Sequence, residues 1–322
     1  MEDDILVSVR VVSYNAEKTI LETLNSVKNQ TYRNIELIIS DDCSKDKTVE
    51  TARKWIEENK DRFIRTVLLT VDHNTGIPAN ANRTLKVING QWIKGIAADD
   101  ILLPNCIQEY VNYVKEHPDE NWLTSKYKVY NNHFNECNFD ALSTESVFSQ
   151  KYISRFSLPI EQFLKSVAFV PGLATPTHFI SKAMSDSVGE YLEKYKLCED
   201  YPMAILRFEA GYKPIFLDFY SVGYRRNTYS LTSTSGGKIF NYAYSECEHQ
   251  IQKDMAYKYL NFSQRVFCSG LFKIKYFMYK NKMDNRTVFN AWIFRSSRAI
   301  LNAFCRILSL FNNSNQQLNC CD

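Results

Sequence analysis

The 322-residue chain lacks several things, and each lack removes a class of protein. Its nine cysteines, at 43, 106, 137, 198, 247, 268, 305, 320 and 321, include no Cys-x-x-Cys. An odd, scattered set argues against a zinc site or a disulfide framework and for reduced thiols. No run of about 18 uncharged apolar residues occurs, so no segment is expected to span a bilayer. The start, Met1-Glu2-Asp3-Asp4, is acidic without an apolar core, and no signal peptide is expected. No internal repeat is visible. What remains, 45% hydrophobic and 23% charged, is the composition of a globular protein of about two domains.

The net charge of +3 is unevenly spread. From Asn241 onward eleven Lys and Arg face five acids, so this region is +6 and the remainder −3. Such asymmetry points to an anionic partner, lipid headgroups or nucleic acid. Within the region Arg295, Arg298, Asn302 and Arg306 recur on one helical face, with Ile293, Ile300, Leu301, Phe304, Leu308 and Phe311 filling much of the rest. An arginine stripe beside a wide apolar face suits a helix lying in a membrane interface. Lys273, Lys275, Lys280 and Lys282, interleaved with Phe272, Tyr276, Phe277 and Tyr279, add a second basic aromatic stretch. An ordinary helical subdomain is the competing reading.

Residues 5–130 alternate strand and helix patterns. Strands are expected at Leu6–Val12, Ile35–Ser40, Arg65–Val71 and Trp92–Ala98, each followed by a helix: Lys18–Asn29, Thr48–Glu58, Ala79–Ile88 and Pro104–Lys115. A further strand is expected at Trp122–Tyr130, a mobile loop at 131–150, and strands near Lys213–Leu217 and Tyr220–Tyr224. From 241 the pattern is helical and the last ten residues read as frayed. The fold class is α/β, a mostly parallel sheet flanked by helices with a C-terminal helical extension, divided as 1–235 and 236–322. Right-handed crossovers put all the strands' carboxyl ends on one edge. There lie Ser13-Tyr14-Asn15, Asp41-Asp42, Asp72 and Asp99-Asp100. Open α/β sheets bind ligands at that edge. Adjacent carboxylates such as Asp99 and Asp100 repel, and the pair is cheapest when a cation holds it.

Val7-Ser8-Val9 with Ser13-Tyr14-Asn15, the run from Ile35 to Thr48 containing Asp41-Asp42, and Ala98-Asp99-Asp100 together resemble the inverting nucleotide-sugar glycosyltransferases of family 2, which have the fold called GT-A. The similarity runs from about Val7 to Ser233. It implies that the Ser13-Tyr14 turn and Asp42 hold a nucleotide base, usually uracil. Tyr14 would stack on it and Asp42 would accept from its imide. Asn74-Thr75-Gly76 and Asn82 resemble the segment lining the nucleotide pocket. Asp99 resembles the aspartate that binds Mn²⁺ or Mg²⁺ on the donor diphosphate, with Asp100 assisting. Both ions take carboxylate oxygens, and such a cation acts as a Lewis acid on the leaving group. Glu199-Asp200 resembles the motif that supplies the general base, Asp200 as base and Glu199 orienting it or touching the acceptor. Pro171–Gly189 resembles the acceptor-side segment before that motif. Arg225 and Arg226 lie in a late family segment and are candidates to pair with the diphosphate.

There are two departures from the family pattern. Ala97 and Ala98 stand where many members carry a ribose-contacting aspartate, and Asn227 replaces a histidine. The resemblance implies a UDP-sugar donor carrying a hexose or N-acetylhexosamine and a saccharide acceptor linked to polyprenyl diphosphate. It also implies a place at the cytoplasmic side of the inner membrane, in O-antigen or capsule assembly.

Taken singly, these sites have duller readings. Asp99-Asp100 alone would cap a helix, Asp46 reads as a turn residue, Tyr14 as packing, His178 as structural and Cys320-Cys321 as a reduced end. A nucleic-acid-binding protein is the alternative motivated by the basic region, but no RNA-binding sheet signature or DNA-reading helix is present. A nucleotidyltransferase would need a glycine-rich basic loop after the first strand, and Ser13-Tyr14-Asn15-Ala16-Glu17 has no glycine.

Overall fold

Three alternate valines of the first strand, Val7, Val9 and Val11, are fully buried, and the sheet grows outward from them. A computed structural model of the chain describes residues 5–226 and 237–318, with side chains followed to Ser309. Eight strands form one sheet: β1 Val7–Ser13, β2 Ile35–Asp41, β3 Arg65–Thr70, β4 Trp92–Ala97, β5 Ile101–Leu102, β6 Trp122–Asn131, β7 Phe179–Ser181 and β8 Ile215–Arg226. Their order is β3-β2-β1-β4-β7-β6-β8-β5. The first four strands are parallel, with Ser13 beside Asp41 and Val12 beside Ala97. β7 joins antiparallel to both β4 and β6, β8 runs parallel to β6, and β5 closes antiparallel on β8. The chain builds outward from β1 to β3, then returns to place β4 on the other side of β1. This reversal opens a crevice between the carboxyl ends of β1 and β4, where such sheets receive ligands.

Helices α1 Ile20–Lys28, α2 Thr48–Asn59, α3 Ile77–Leu85 and α4 Cys106–Glu116 cross between the first strands. α1 buries Ile20, Thr23, Leu24 and Val27, one stripe at helical spacing. Shorter helices follow: α5 Ala141–Val147, α6 Gln150–Ile153, α7 Ile160–Phe169, α8 Lys182–Val188 and α9 Asp200–Glu209. Under the middle of the sheet Phe179 stacks between Trp92 and Tyr110, at 4.8 and 4.9 Å between ring centroids.

Contacts group the chain into Met1–Phe163 with Gly172–Arg226, and Leu164–Pro171 with Asn227–Asp322. The second unit contains α10 Tyr242–Ile251, α11 Phe262–Lys280 and α12 Val288–Leu318. A capping box between Asn261 and Gln264 starts α11. α12 lies so close to α11 that a Cβ on Gly270 would sit 2.8 Å from Leu301.

The expected strand–helix alternation is present. Residues 131–150, expected as a loop, instead form a 3₁₀ turn at Glu136–Asn138 and helix α5, capped by Asp140 accepting from the Ser143 amide at 2.9 Å. The two strands expected near 213–224 are one continuous strand, β8, bulged against β6. α4 begins at Cys106 after Asn105 rather than at Pro104, because Ile101–Leu102 first pairs with β8 as β5. The domain boundary expected after 235 and the substituted Asn227 lie outside the described residues.

A buried carboxylate sets the approach to β4. Glu36 Oε1 accepts from the amides of Asn89 and Gly90, at 2.6 and 3.1 Å, and from the Ser8 hydroxyl. A Cβ on Gly90 would lie 2.5 Å from Ser8 Oγ and 2.8 Å from Leu6 O, with backbone on two sides. Gly90→Ala is therefore expected to lower unfolding free energy by about 1–3 kcal/mol, the cost of overpacking, read by denaturant melts.

Candidate active site

Two laced loops form the β1 side of the crevice. After β1, Asn15 adopts φ 50° and after β2, Cys43 adopts φ 68°, left-handed turns in which the chain doubles back. Asn15 Oδ1 accepts from the Lys45 amide at 2.9 Å, and Ser44 Oγ accepts from the Asn15 amide at 2.7 Å. Asp41 accepts from Ser13 Oγ at 2.9 Å and from Ser44 Oγ at 2.6 Å. Asp46 accepts from the amides of Glu17 and Thr48, at 3.1 and 3.0 Å. Burial raises its carboxyl, but these donors outweigh it and hold it below the usual range. Tyr14, at the tip, is half exposed.

Asp42 is almost fully buried. Its two oxygens accept from the Thr75 amide at 3.1 and 3.0 Å, Thr75 Oγ1 at 2.6 Å, the Gly76 amide at 2.8 Å and Arg83 Nη2 at 2.9 Å. Burial again pushes the carboxyl up, and the hydrogen bonds from Thr75, Arg83 and Gly76 bring it lower than an ordinary aspartate. Asp42 thereby holds the turn that begins α3. Gly76, at φ 94°, is the N-cap there and needs a glycine's freedom.

Asn74 is exposed, its amide 3.4 Å from the Asp42 carbonyl. Asn82, expected to line the nucleotide pocket, bonds to the segment before α9. Its amide is buried and spent, donating to Tyr191 O at 3.0 Å and Glu193 Oε1 at 2.9 Å and accepting from the Tyr191 amide at 2.8 Å. Sequence reasoning missed Asn80 and Arg83. Asn80 donates to Ser13 O at 3.1 Å, and Arg83 donates to Asn80 Oδ1 and Thr75 Oγ1, at 2.9 and 2.7 Å. An arginine seven residues after a turn glycine was the available signal.

At the end of β4 the two aspartates separate. Asp99 is partly exposed, whereas Asp100 is buried and accepts from the Arg225 amide at 2.8 Å. Burial first, and then repulsion by Asp99, raise the Asp100 carboxyl well above its ordinary range. Asp100 is thus bonded to the β8 backbone, while Asp99 keeps partial exposure. Arg225 holds the same turn: its Nε donates to Asp99 O at 2.7 Å, Nη1 to Asn132 O and Nη2 to Glu22, and Phe134 lies 4.2 Å from its guanidinium. Arg226 pairs with Asp140 at 3.0 Å.

Among the described residues no three His, Cys, Asp or Glu side chains gather as a metal site. The donor set nevertheless fits a cation carried largely by a ligand. Mg²⁺ and Mn²⁺ take oxygen donors, and Mg²⁺ is held by one or two carboxylates with phosphate and water supplying the rest. Asp99 is the partly exposed carboxylate at that edge.

Glu199 is the N-cap of α9 and Asp200 its first residue. Asp200 accepts from Thr175 Oγ1 at 3.1 Å and from the Tyr201 amide at 2.8 Å. Thr175, another residue the sequence reading passed over, precedes Pro176, whose carbonyl accepts from Lys94 on β4. Lys94 is fully buried, which lowers its ammonium to about 8. This chain of bonds ties the start of α9 to β4. His178, read as structural, is buried edge-on to Trp122 at 5.3 Å, its basicity depressed by burial and then by Arg207.

Burial and then the Asp200 charge push the Glu199 carboxyl up to about 7, with Arg10 pulling the other way. Against an unfolded value of 4.5, the native state holds an extra proton between about pH 4.5 and about 7. Stability from this group is therefore greatest below that window and falls as pH rises through it. Glu199→Gln is expected to flatten that fall, read as melting temperature against pH.

Residues 8–161 match the family described as Glycosyl transferase family 2. The match takes in β1 through the start of α7. It is 35% identical over 130 residues to the Escherichia coli protein WfgD, described as a UDP-Glc:alpha-D-GlcNAc-diphosphoundecaprenol beta-1,3-glucosyltransferase, covering 40% of this chain and 49% of WfgD. It is 32% identical over 111 residues to the putative glycosyltransferase EpsE of Bacillus subtilis, covering 34% of this chain and 39% of EpsE. The chain thus spans half or less of the length of these relatives. Among solved structures it resembles S. aureus TarS 1-349 in complex with UDP-GlcNAc, with TM-score 0.56, 19% identity, 85% of this chain and 73% of that one. It also resembles the mannosyltransferase PcManGT from Pyrobaculum calidifontis in complex with GDP-Man and Mn²⁺, with TM-score 0.53, 15% identity, 93% of this chain and 70% of that one. At such identities the likeness is one of fold, the curled sheet flanked by helices of the GT-A glycosyltransferases.

Proposed function

We propose that the protein is an inverting glycosyltransferase moving a hexose or N-acetylhexosamine from a UDP-sugar to a saccharide acceptor carried on polyprenyl diphosphate, in bacterial O-antigen or capsule assembly. The observation that carries this reading is the placing of two unlike carboxylates around β4. Asp99 lies at its end, and Asp200 opens α9 on the segment bonded to Lys94. Support for the donor and acceptor classes comes from the WfgD description and from the UDP-GlcNAc complex of TarS.

The base lies against Tyr14, beside Asn74, in a pocket whose wall Asp42, Thr75 and Arg83 keep rigid. Asp99 would hold Mn²⁺ or Mg²⁺ together with the donor diphosphate. When bound, the cation stabilises the negative charge that grows there as the glycosidic bond breaks. Asp200 takes the proton of the acceptor hydroxyl as that oxygen attacks the anomeric carbon from the face opposite the diphosphate. Thr175 fixes one carboxylate oxygen and the Tyr201 amide the other, so the base keeps one orientation. Glu199 borders the acceptor side. Asp99→Asn and Asp200→Asn are each expected to lower transfer by about 10²–10⁴-fold while the melting temperature holds. A mass-spectrometric screen of UDP-sugars against a synthetic polyprenyl-diphosphate N-acetylglucosamine checks this. Asp99→Asn is further expected to lose the Mn²⁺-dependent part of stabilisation by UDP, whereas Asp200→Asn keeps it.

Among the described residues no helix is long and apolar enough to cross a membrane. α12 nevertheless exposes Val288, Phe289, Trp292, Ile300, Phe304 and Ile307, with Arg295, Arg298 and Arg306 exposed beside them. Apolar side chains tipped by a tryptophan and flanked by arginines favour an anionic bilayer surface over nucleic acid. We read this face as seating the protein peripherally on the cytoplasmic side of the inner membrane. Trp292→Glu with Phe304→Glu is expected to abolish co-sedimentation with phosphatidylglycerol vesicles, while wild type binds these and not phosphatidylcholine.

A further inference from the structure

The segment that meets Asp200 is held by buried polar groups to which the mechanism above gives no part. It is the turn Ala174-Thr175-Pro176-Thr177, and each of its four carbonyls is taken. Ala174 O accepts from the Thr177 amide and hydroxyl, at 2.8 and 2.7 Å, and Thr175 O accepts from the His178 amide at 3.0 Å. Pro176 O accepts from Lys94 of β4, and Thr177 O from Tyr110 of α4. The Thr177 hydroxyl also accepts from the Ser125 amide of β6 at 3.1 Å, with Thr124 Oγ1 2.8 Å away. Lys94, Tyr110, Thr124, Ser125 and Thr177 are all fully buried.

Hydroxyls and amides do most of this holding, and a neutral donor would complete it. Pro176 is held instead by a full ammonium. Lys94 Nζ donates to Pro176 O and, at 3.0 Å, to Gly95 O, and no carboxylate among the described residues forms an ion pair with it. Burying a cation against carbonyls alone costs more than burying a hydroxyl, and what it gains is a charge-assisted bond about twice as strong. That stronger bond falls on the carbonyl of the residue after Thr175. Thr175 is the side chain of the turn that reaches α9. Its hydroxyl lies 3.1 Å from Asp200 Oδ2, nearer than the 3.3 Å to Leu173 O. The other Asp200 oxygen accepts from the Tyr201 amide at 2.8 Å, a donor fixed by α9 itself. Of the two donors on this carboxylate, only the Thr175 hydroxyl depends on a separate turn, and Lys94 ties that turn to β4.

We propose that Lys94 is a positioning residue for glycosyl transfer: it pins the 174–177 turn to β4 so that the Thr175 hydroxyl keeps the Asp200 carboxylate aimed at the acceptor's proton. This rests on Asp200 being the base, as proposed above, and adds to it a buried residue that touches neither substrate. A base that loses its aim costs rate and not binding, so the signature of Lys94 lies in kcat.

The proteins are wild type, Lys94→Met, Thr175→Val, the double variant and Asp200→Asn. Lys94→Gln, polar but uncharged, takes the place of Lys94→Met where that variant fails to fold. Transfer from a UDP-sugar to polyprenyl-diphosphate N-acetylglucosamine is measured in Mn²⁺ and expressed per UDP-binding site, so that unfolded protein is not counted. Lys94→Met and Thr175→Val are each expected to lower kcat about 10–100-fold, with both KM values within about twofold of wild type. The double variant is expected to fall no further than the lower single variant, since both changes act on one carboxylate. The Asp200 carboxylate carbon is followed by ¹³C NMR and assigned by its disappearance in Asp200→Asn. Its resonance is expected to move in Lys94→Met in the direction it moves in Thr175→Val. The proposal is overturned if Lys94→Met keeps kcat within about threefold of wild type, if its loss appears in KM, or if the two losses multiply in the double variant. It is equally overturned if the Asp200 resonance does not respond to Lys94. Transfer that survives Asp200→Asn, or wild-type binding of UDP-sugars without transfer, would sink the reading of the base or of the reaction, and the NMR comparison then decides by itself whether Lys94 aims Asp200.

Discussion

The guanidinium of Arg225 carries more of this architecture than any other single group. It comes from the last strand of the sheet, yet its bonds run to the turn after the fourth strand, to α1 through Glu22 and to the 132–134 segment. A nearly buried arginine is tolerable only when every donor has a home, because an unmet charged N–H costs more than a made one returns. Satisfying it forces three elements distant in the chain to converge on the Asp99–Asp100 turn. The same strand's amide takes the Asp100 carboxylate. What remains at the surface of that turn is Asp99, held by its own carbonyl.

A division of labour among like residues follows. Asp41, Asp42 and Asp100 all stand at strand ends, and all three are buried and bonded to the protein itself. They build the edge, whereas Asp99 and Asp200 keep partial exposure. The chemistry proposed for this edge needs few reactive groups and many that hold them still, in line with catalysis by positioned charge. Asp42 and Arg83 show this in the pocket wall, where a salt bridge of 2.9 Å is tied to both Thr75 and Asn80.

How far the sequence could be read follows from where each signal is local. The β1 to β4 alternation and the stripes of α1 and α4 are written in consecutive side chains, and these elements lie where periodicity places them, within a residue or two. β5 and β7 are two and three residues long and exist because partners far away in the chain offer their edges. Nothing local announces them. The polar run after Asn131 looked like a loop because its helix is specified by a single cap, Asp140, and buries only Thr144. At the candidate site, motif spacing located the acidic turns but not the direction of each side chain. That direction is decided by cross-chain partners, Arg225 for Asp100 and the Tyr191 backbone for Asn82. Spacing can say that a residue is at the edge; only the partner says which way it faces.

The same logic separates α12 into two faces. Toward α11 it presents Leu301 against Gly270, where a bare backbone permits an approach too close for any side chain. Away from it, aromatic and branched side chains stand exposed over several turns. Isolated apolar residues on a surface are ordinary, but a continuous helical stripe of them is not. Burying it against protein would leave Arg295, Arg298 and Arg306 at the rim, and burying it in a bilayer surface would set those same arginines among phosphates. The second arrangement satisfies the apolar and the charged halves at once, since long arginine stems let the heads reach the headgroup layer while the stripe enters the acyl boundary. Under the proposed function, a sheet edge for a charged nucleotide and a helix for an anionic surface would be different solutions to one demand: a water-soluble donor meeting an acceptor held in lipid.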